Sequence, residues 1–157
     1  MKNITLKQLL EAGVYFGHTT SKWHPHMKPY IFCVRGGVYI IDLEKTLEKL
    51  NEALSFIKDV VSKGDKILFV GTKRQAKEIV KKAALSCDMP YVVERWLGGT
   101  FTNFPNILNA IKRLKKMEEE RGSKAWDKYT KKERLLKERE IEKLNLKFGG
   151  LKNMEEL

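Results

Sequence analysis

Cysteine and long apolar runs are both scarce in this sequence of 157 residues. Its two cysteines, Cys33 and Cys87, stand 54 positions apart without a CxxC spacing. That argues against a disulfide scaffold and is typical of a reducing compartment. No stretch reaches the roughly 18 consecutive apolar residues that a membrane span needs. The first ten residues have neither a long apolar core nor a small-residue cleavage site, so we expect no secretory signal.

Catalytic motifs are missing as well. The sequence has no GxSxG motif, no acidic pair in an apolar loop and no activating motif around either cysteine. Asp42, Asp65 and Asp88 stand at expected element boundaries, where capping and turn roles suffice for them. We therefore expect a protein that is not an enzyme and has no catalytic residues.

Positive charge is what the sequence has in excess. There are 31 lysines and arginines against 20 acidic residues, a formal net charge of +11. This excess suggests a polyanionic partner, although a solvated basic surface has the same composition. Residues 1–41 carry a net charge of +4, residues 65–100 carry +3 and residues 101–157 carry +5. The last segment is dense in both signs, which is typical of a solvated helical surface.

The N-terminal part shows capping and turn signals. Thr5 and Gln8 form a capping box for a short helix that Gly13 ends. Residues 14–30 have no regular pattern and are expected to be irregular. Two short β-rich runs, YIFCV and VYII, flank Arg35-Gly36-Gly37, and two apolar runs across a Gly-Gly pair predict a β-hairpin.

The middle of the sequence alternates helical and strand patterns. Asp42 is expected to cap a helix over 42–63, whose leucines, isoleucines and valines recur every three or four residues. The unbroken apolar run 67–71 is typical of a strand buried on both faces. Thr72 and Gln75 form a second capping box, which predicts a helix over 72–86. The inward positions of that helix would be Ala76, Ile79, Val80 and Ala83, and the outward ones Lys73, Lys77 and Lys81.

A further short strand is expected at residues 91–93, after Met89-Pro90. The alternation predicts parallel strands with helices covering the sheet. Two such strands are too few for a complete sheet. We therefore expect either that another chain completes the sheet or that the sequence is a fragment with an exposed apolar edge.

The C-terminal part is strongly helical. After a loop over 94–103, the spacing predicts a helix over 104–121 with one apolar face, followed by a break at Gly122-Ser123. Thr130 and Glu133 form a third capping box, and a second helix runs to about Lys147. Two long charged helices joined by a turn predict an antiparallel helical hairpin. Residues 149–157 return to loop.

Three segments are candidates for binding. In residues 14–35, basic and aromatic side chains alternate and prolines stiffen the loop, a pattern suited to contacts with RNA. An ordinary loop with its aromatic side chains docked on the sheet is an equal alternative. The RNA-facing residues would be His18, Lys22, Trp23, His24, Lys28 and Arg35. The three histidines with Cys33 make a poor zinc set because no CxxC or HxxxH spacing is present, so we expect no metal.

The other two candidates are turns. GTKRQ (71–75) joins a strand to a helix and can present free N–H groups to a phosphate, with Lys73, Arg74 and Lys77 nearby. It lacks the glycine spacing of a nucleotide-binding loop. In RWLGGTFTNF (95–104), Arg95 and Trp96 can anchor a partner, although a tight corner with Trp96 buried is the simpler interpretation. Thr102 or Asn103 can cap the following helix.

Several collinear segments resemble the bacterial-type ribosomal protein family number two of the small subunit, the S-two family. They are LLEAGVYFGH (9–18), KWHPHMKPYIF (22–32), GVYIIDLEKTLEKL (37–50), ILFVGTKRQAKEIV (67–80), RWLGGTFTNF (95–104) and FGGLKNM (148–154). The resemblance covers nearly the whole sequence.

The resemblance implies an α/β fold, a flavodoxin-like or Rossmann-like three-layer domain with an inserted helical hairpin. Its parts would be residues 1–102, the hairpin 103–148 and a return segment 149–157. Relatives continue beyond this point with further strands and helices, so we expect an N-terminal portion whose three-layer domain is incomplete.

The resemblance also implies a structural role in the small ribosomal subunit. The chain would bind small-subunit rRNA between head and body and help to recruit ribosomal protein number one, with no cofactor, small-molecule substrate or membrane partner. We expect the protein to be located in cytoplasmic ribosomes, with organellar ribosomes as the alternative location. Two alternatives remain open: a phospholigand-binding protein or small enzyme using the turn Gly71–Arg74, and a protein-docking module built on the hairpin.

Overall fold

The computed structural model describes residues 4–154 and 156. The fold is mixed α/β, and the chain divides into two compact units between Asp65 and Lys66. Among the described residues, no helix is both long and apolar enough to cross a membrane.

The N-terminal unit contains a three-stranded antiparallel sheet. Its helices are α1 (Leu6–Glu11) and α2 (Leu43–Ser62), with a 3₁₀ helix at Pro25–Tyr30. Its strands are β1 (Phe16–Thr19), β2 (Ile31–Arg35) and β3 (Val38–Ile41), in the order β1-β3-β2. The sheet places the segment between β1 and β2 beside β3.

The predicted hairpin is confirmed at β2 and β3. Arg35 pairs with Val38, so Gly36 and Gly37 alone form the turn, with φ values of +58° and +75°. Two successive left-handed residues match the right-handed twist of the flanking strands, and only glycine adopts that backbone without strain.

The capping predictions in this unit are also confirmed. The Thr5 hydroxyl accepts from the backbone N–H of Gln8, and the Gln8 side chain accepts from that of Thr5. Asp42 accepts from the backbone N–H groups of Glu44 and Lys45 at the start of α2.

The expectation that residues 14–30 are irregular is wrong. Residues 16–19 form β1, which pairs with β3 through a shifted register. Residues 25–30 form the 3₁₀ helix. The strand was hidden because Gly17 and His18 interrupt any apolar alternation. The pairing depends on β3, which lies some twenty residues away in sequence.

The C-terminal unit contains a parallel strand pair and two long helices. The strands are β4 (Phe69–Val70) and β5 (Tyr91–Val92), with α3 (Lys77–Ser86) between them. Helix α4 spans Phe104–Arg121 and α5 spans Lys131–Phe148. Short 3₁₀ helices lie at Lys124–Lys128 and Gly149–Leu151.

The parallel pairing of β4 and β5 is confirmed, with Phe69 opposite Tyr91 and Val70 opposite Val92. The expectation of a strand buried on both faces is wrong for β4. Val70 keeps 51% of its surface exposed, so the described residues leave one face of β4 partly uncovered.

Helix α3 begins later than expected. The second capping box, Thr72 with Gln75, does not form. The helix starts at Lys77 after Ala76, which provides no side-chain cap. Residues 73–76 form a turn, in which the Lys73 carbonyl accepts from the N–H of Ala76 and of Lys77. The inward face also differs from the predicted one: Ala84 is buried, whereas Ile79 is 70% exposed.

The core of the C-terminal unit lies on the predicted apolar face of α4. Ile111 and Leu114 are its most deeply buried large side chains. The remaining members of the cluster are Val92, Phe104, Ile107, Met117, Ile141, Phe148, Leu151 and Met154. In α5, Ile141 and Phe148 are buried, whereas Leu135 and Leu136 are about half exposed.

Residues 149–154 are not the plain loop that the sequence suggests. The last 3₁₀ helix spans Gly149–Leu151, and Leu151 and Met154 are buried. Residues 155 and 157 of the predicted loop lie outside the described residues. Lys152 pairs with Glu118 of α4 at 2.7 Å, and the Asn153 carbonyl accepts from the Lys66 ammonium at 2.9 Å. The segment therefore belongs to the core of its unit.

The third capping box is confirmed, and it supports a stability prediction. Thr130 accepts from the backbone N–H of Glu133, whose carboxylate accepts from the Thr130 N–H and hydroxyl. Replacing Thr130 by alanine removes the hydroxyl, and we expect a loss of about 1 kcal/mol in the free energy of unfolding. Urea titration followed by circular dichroism measures it, with the exposed Thr102→Ala as the control.

The same box should respond to pH. Hydrogen bonds from the Thr130 backbone and hydroxyl lower the pKa of Glu133. A group with a lowered pKa in the folded state contributes stability above its unfolded pKa and loses it as the pH falls through the folded value. The difference between wild type and Glu133→Gln should therefore shrink in acid; a constant difference would contradict this.

Candidate nucleic-acid interface

Four of the six RNA-facing residues predicted in the N-terminal unit lie together in one groove. His18 extends from β1, and Lys22, Trp23 and His24 follow in the connection to the 3₁₀ helix. All four line a groove of about 460 Å³, with Met27 and Tyr39 among the other lining residues. We call it the Trp23 groove. The three-stranded sheet therefore brings together residues that are six positions apart in sequence.

A pair of aromatic rings forms part of the groove. The ring centroids of Trp23 and Tyr39 are 4.8 Å apart, tilted by 40°. Trp23 is half-buried. Gly17 permits β1 to approach β3 here, since a Cβ on it would lie 2.9 Å from the Tyr39 carbonyl oxygen. Any side chain at this position would push the strands apart.

His24 has a local structural role as well. Its Nδ1 accepts from the backbone N–H of His26 at 3.2 Å and so caps the 3₁₀ helix. Within residues 4–154, no group of three or more His, Cys, Asp and Glu side chains is arranged to hold a metal ion.

Lys28 and Arg35 lie outside this groove. Lys28 is exposed on the 3₁₀ helix. Arg35 is exposed at the end of β2 and lines a second cavity of about 840 Å³, together with Phe32 and Leu10. Both cations are exposed and available to phosphates, but neither lines the Trp23 groove.

In the C-terminal unit, Lys73 and Arg74 are exposed in the turn before α3. The helix start lies after these residues, at Lys77, and the N–H groups of Ala76 and Lys77 already donate to the Lys73 carbonyl. Gly71 is buried, and a Cβ on it would lie 2.6 Å from Val80. Packing against α3 therefore accounts for this glycine without a ligand.

The last two predicted contact residues, Lys77 and Arg95, differ in whether their charge has a partner. The Lys77 ammonium lies 2.5 Å from the carboxylate of Glu94, so its charge has a partner within the unit. Arg95 is exposed, whereas Trp96 packs against the core of the unit. Asn103 precedes α4 but makes no side-chain cap, and Gly99 has a left-handed φ of +84°. The segment is thus a tight corner.

Comparison with known proteins decides the family. The family described as Ribosomal protein S2 matches residues 9–157. The chain belongs to the ribosomal protein S2 family. Proteins named Small ribosomal subunit protein uS2 from Shewanella denitrificans, Shewanella amazonensis and Shewanella loihica are each 53% identical to it over 154 residues. The match covers 98% of this chain and 64% of each relative, so the chain spans somewhat under two thirds of their length.

Three apolar or aromatic side chains of this S2 chain lie beside the predicted segments but were not themselves predicted. Tyr39 and Met27 line the Trp23 groove, and Phe101 is 60% exposed with its ring centroid 5.1 Å from that of Trp96. Tyr39 was assigned only to a strand. The apolar run VYII predicted the strand, but nothing in it indicated that Trp23 would pack against the Tyr39 ring.

Proposed function

We propose that the chain is a structural, non-catalytic constituent of the small ribosomal subunit that binds small-subunit rRNA between head and body. Membership of the ribosomal protein S2 family carries the proposal. The net charge of +11 supports it, because phosphate neutralisation provides most of the affinity of RNA-binding proteins. The site of action would be the ribosome in the cytoplasm, or in an organelle, and the neighbouring small-subunit proteins would include ribosomal protein number one.

The proposed contact set comprises His18, Lys22, Trp23, His24, Lys28, Arg35, Lys73, Arg74, Lys77 and Arg95. The exposed members without an ion-pair partner in the described part of the chain are the strongest candidates for phosphates. Lys77 is the weakest, since binding a phosphate there would require breaking its pair with Glu94.

We further propose that residues 1–102 and 149–157 belong to a flavodoxin-like three-layer domain, into which the hairpin 103–148 is inserted. The parallel pair β4–β5 with its connecting α3 supports the first part. Ion pairs of Arg113 with Glu140 and of Glu120 with Lys137 support the second. Arg113 precedes Glu120 in α4, whereas the partner of Arg113 follows the partner of Glu120 in α5, as helices running in opposite directions require.

Salt dependence tests the RNA-binding proposal. Each phosphate contact contributes a slope of about −0.7 to −0.9 to the plot of log affinity against log salt. We expect the 157-residue chain to bind small-subunit rRNA with a steep negative slope. The double variant Lys22→Ala/Lys28→Ala should flatten that slope by about 1.5 in filter-binding assays.

The matched control removes two cations of the same unit that are ion-paired on its surface. Lys7 pairs with Glu11 at 3.9 Å and Lys49 with Glu52 at 2.8 Å. The variant Lys7→Ala/Lys49→Ala should leave the slope close to that of the wild type. Binding that is indifferent to salt, or equal flattening by both double variants, would contradict the proposal.

A further inference from the structure

The Trp23 groove has a chemistry that phosphate contacts alone do not explain. Its volume of about 460 Å³ lies within the range of roughly 300–1,000 Å³ typical of small-ligand sites. Most of its lining is apolar or aromatic, including Trp23, Met27 and Tyr39. Lys22, His18 and His24 provide its polar groups. A flat, partly apolar ligand with a negative charge beside it fits this combination.

Charge complementarity restricts the occupant. No aspartate or glutamate is among the described residues that line the groove. Residues 1–41, which include all of its lining, carry a net charge of +4. A peptide with a cationic side chain would therefore find no carboxylate partner there. A nucleotide offers a ring to stack on the aromatic side chains and a phosphate for Lys22.

We propose that the groove binds the base of a single unpaired nucleotide of RNA. The inference rests on the proposed RNA-binding function and specifies what part of the RNA this site takes. In a duplex, both faces of each base are already stacked, so only a base in a loop, a bulge or an end can enter. The Trp23–Tyr39 pair forms the stacking surface, and the cap at His24 together with Pro25 holds the segment in place.

Replacing Trp23 by leucine tests the proposal in the whole 157-residue chain. Loss of a base–aromatic stack should weaken binding to small-subunit rRNA roughly 5- to 150-fold. The salt slope should stay unchanged, because the side chain carries no charge. Lys22→Ala should show the opposite signature, a slope flatter by about 0.7 to 0.9.

Two further variants separate stacking from folding. Trp23→Phe keeps an aromatic face and should recover most of the lost affinity. Phe32→Leu removes an aromatic side chain that is 75% exposed on the same sheet but lines the other cavity, so it should bind like the wild type. Circular dichroism melting of each variant shows whether the unit still folds.

Photocrosslinking of the wild-type complex gives a second measurement that needs no variant. Crosslinks from rRNA bases should map to the peptide containing residues 22–28. If rRNA binds with a steep salt slope but Trp23→Leu changes nothing and crosslinks fall elsewhere, base capture is wrong and the proposed function stands. If the wild-type chain shows no salt-dependent binding, the proposed function is wrong, and base capture with it.

Discussion

Replacing Leu114 by alanine should cost roughly 2–5 kcal/mol in the free energy of unfolding, the range measured for buried leucines. Leu114 is fully buried in α4 and belongs to the cluster with Ile111, Met117, Ile141 and Phe148. Shortening its isobutyl side chain to a methyl group loses the transfer free energy of the three removed carbons and leaves a cavity. The surrounding helices can close that cavity only in part, because residues from both helices and the following 3₁₀ helix line the same cluster.

Leu146→Ala provides the matched control for this prediction. Leu146 lies in α5 and keeps 63% of its surface exposed, so the same chemical change removes little buried area. We expect a change within about 0.5 kcal/mol, as at ordinary surface sites. Urea unfolding followed by far-ultraviolet circular dichroism measures both variants. Equal destabilisation would show that α4 and α5 do not form the core described here.

Gly150→Ala should have the second-largest effect, about 3 kcal/mol, the upper end of the usual range for overpacking. A Cβ on Gly150 would lie 2.2 Å from the Tyr91 carbonyl oxygen and 2.7 Å from its Cδ2 atom. The first of these atoms is backbone, in β5, and cannot rotate away as a side chain can. Accommodating the methyl group therefore requires moving the 3₁₀ helix at 149–151 away from the strand.

Gly98→Ala is the control, because it adds the same methyl group at a position with room for it. A Cβ on Gly98 would meet no atom within 4 Å, and its φ is not left-handed. We expect a change of a few tenths of a kcal/mol at most, in either direction. Thermal and urea unfolding of the two alanine variants should differ clearly. If Gly150→Ala is as stable as Gly98→Ala, the close approach of residue 150 to β5 is wrong.

Local signals in the sequence predicted several elements correctly. The hairpin at Gly36-Gly37, the boxes Thr5–Gln8 and Thr130–Glu133 and the bounds of α4 all depend on residues within a few positions of one another. Such interactions join residues close in sequence, so their residue types and spacing are enough to predict them. The family followed from collinear motifs and was confirmed by the match over residues 9–157.

The candidate site was only partly predictable. The sequence indicated Lys22, Trp23 and His24 from their basic and aromatic character, but not the groove that they share with Tyr39. That groove exists because β1 pairs with β3, an interaction between distant segments. Likewise, Lys77 looked like a free cation in sequence, and only the return of the chain after β5 places Glu94 beside it.

The sequence by itself determined the charge excess, the local turns and caps, and the family to which this chain belongs. The tertiary structure alone decided where α3 begins, that Lys77 is paired with Glu94, and that an aromatic groove lies beside β3. The physical reason is the range of the interactions involved. Capping and tight turns act over three or four residues, whereas strand pairing, ion pairing and groove formation depend on where distant parts of the chain meet.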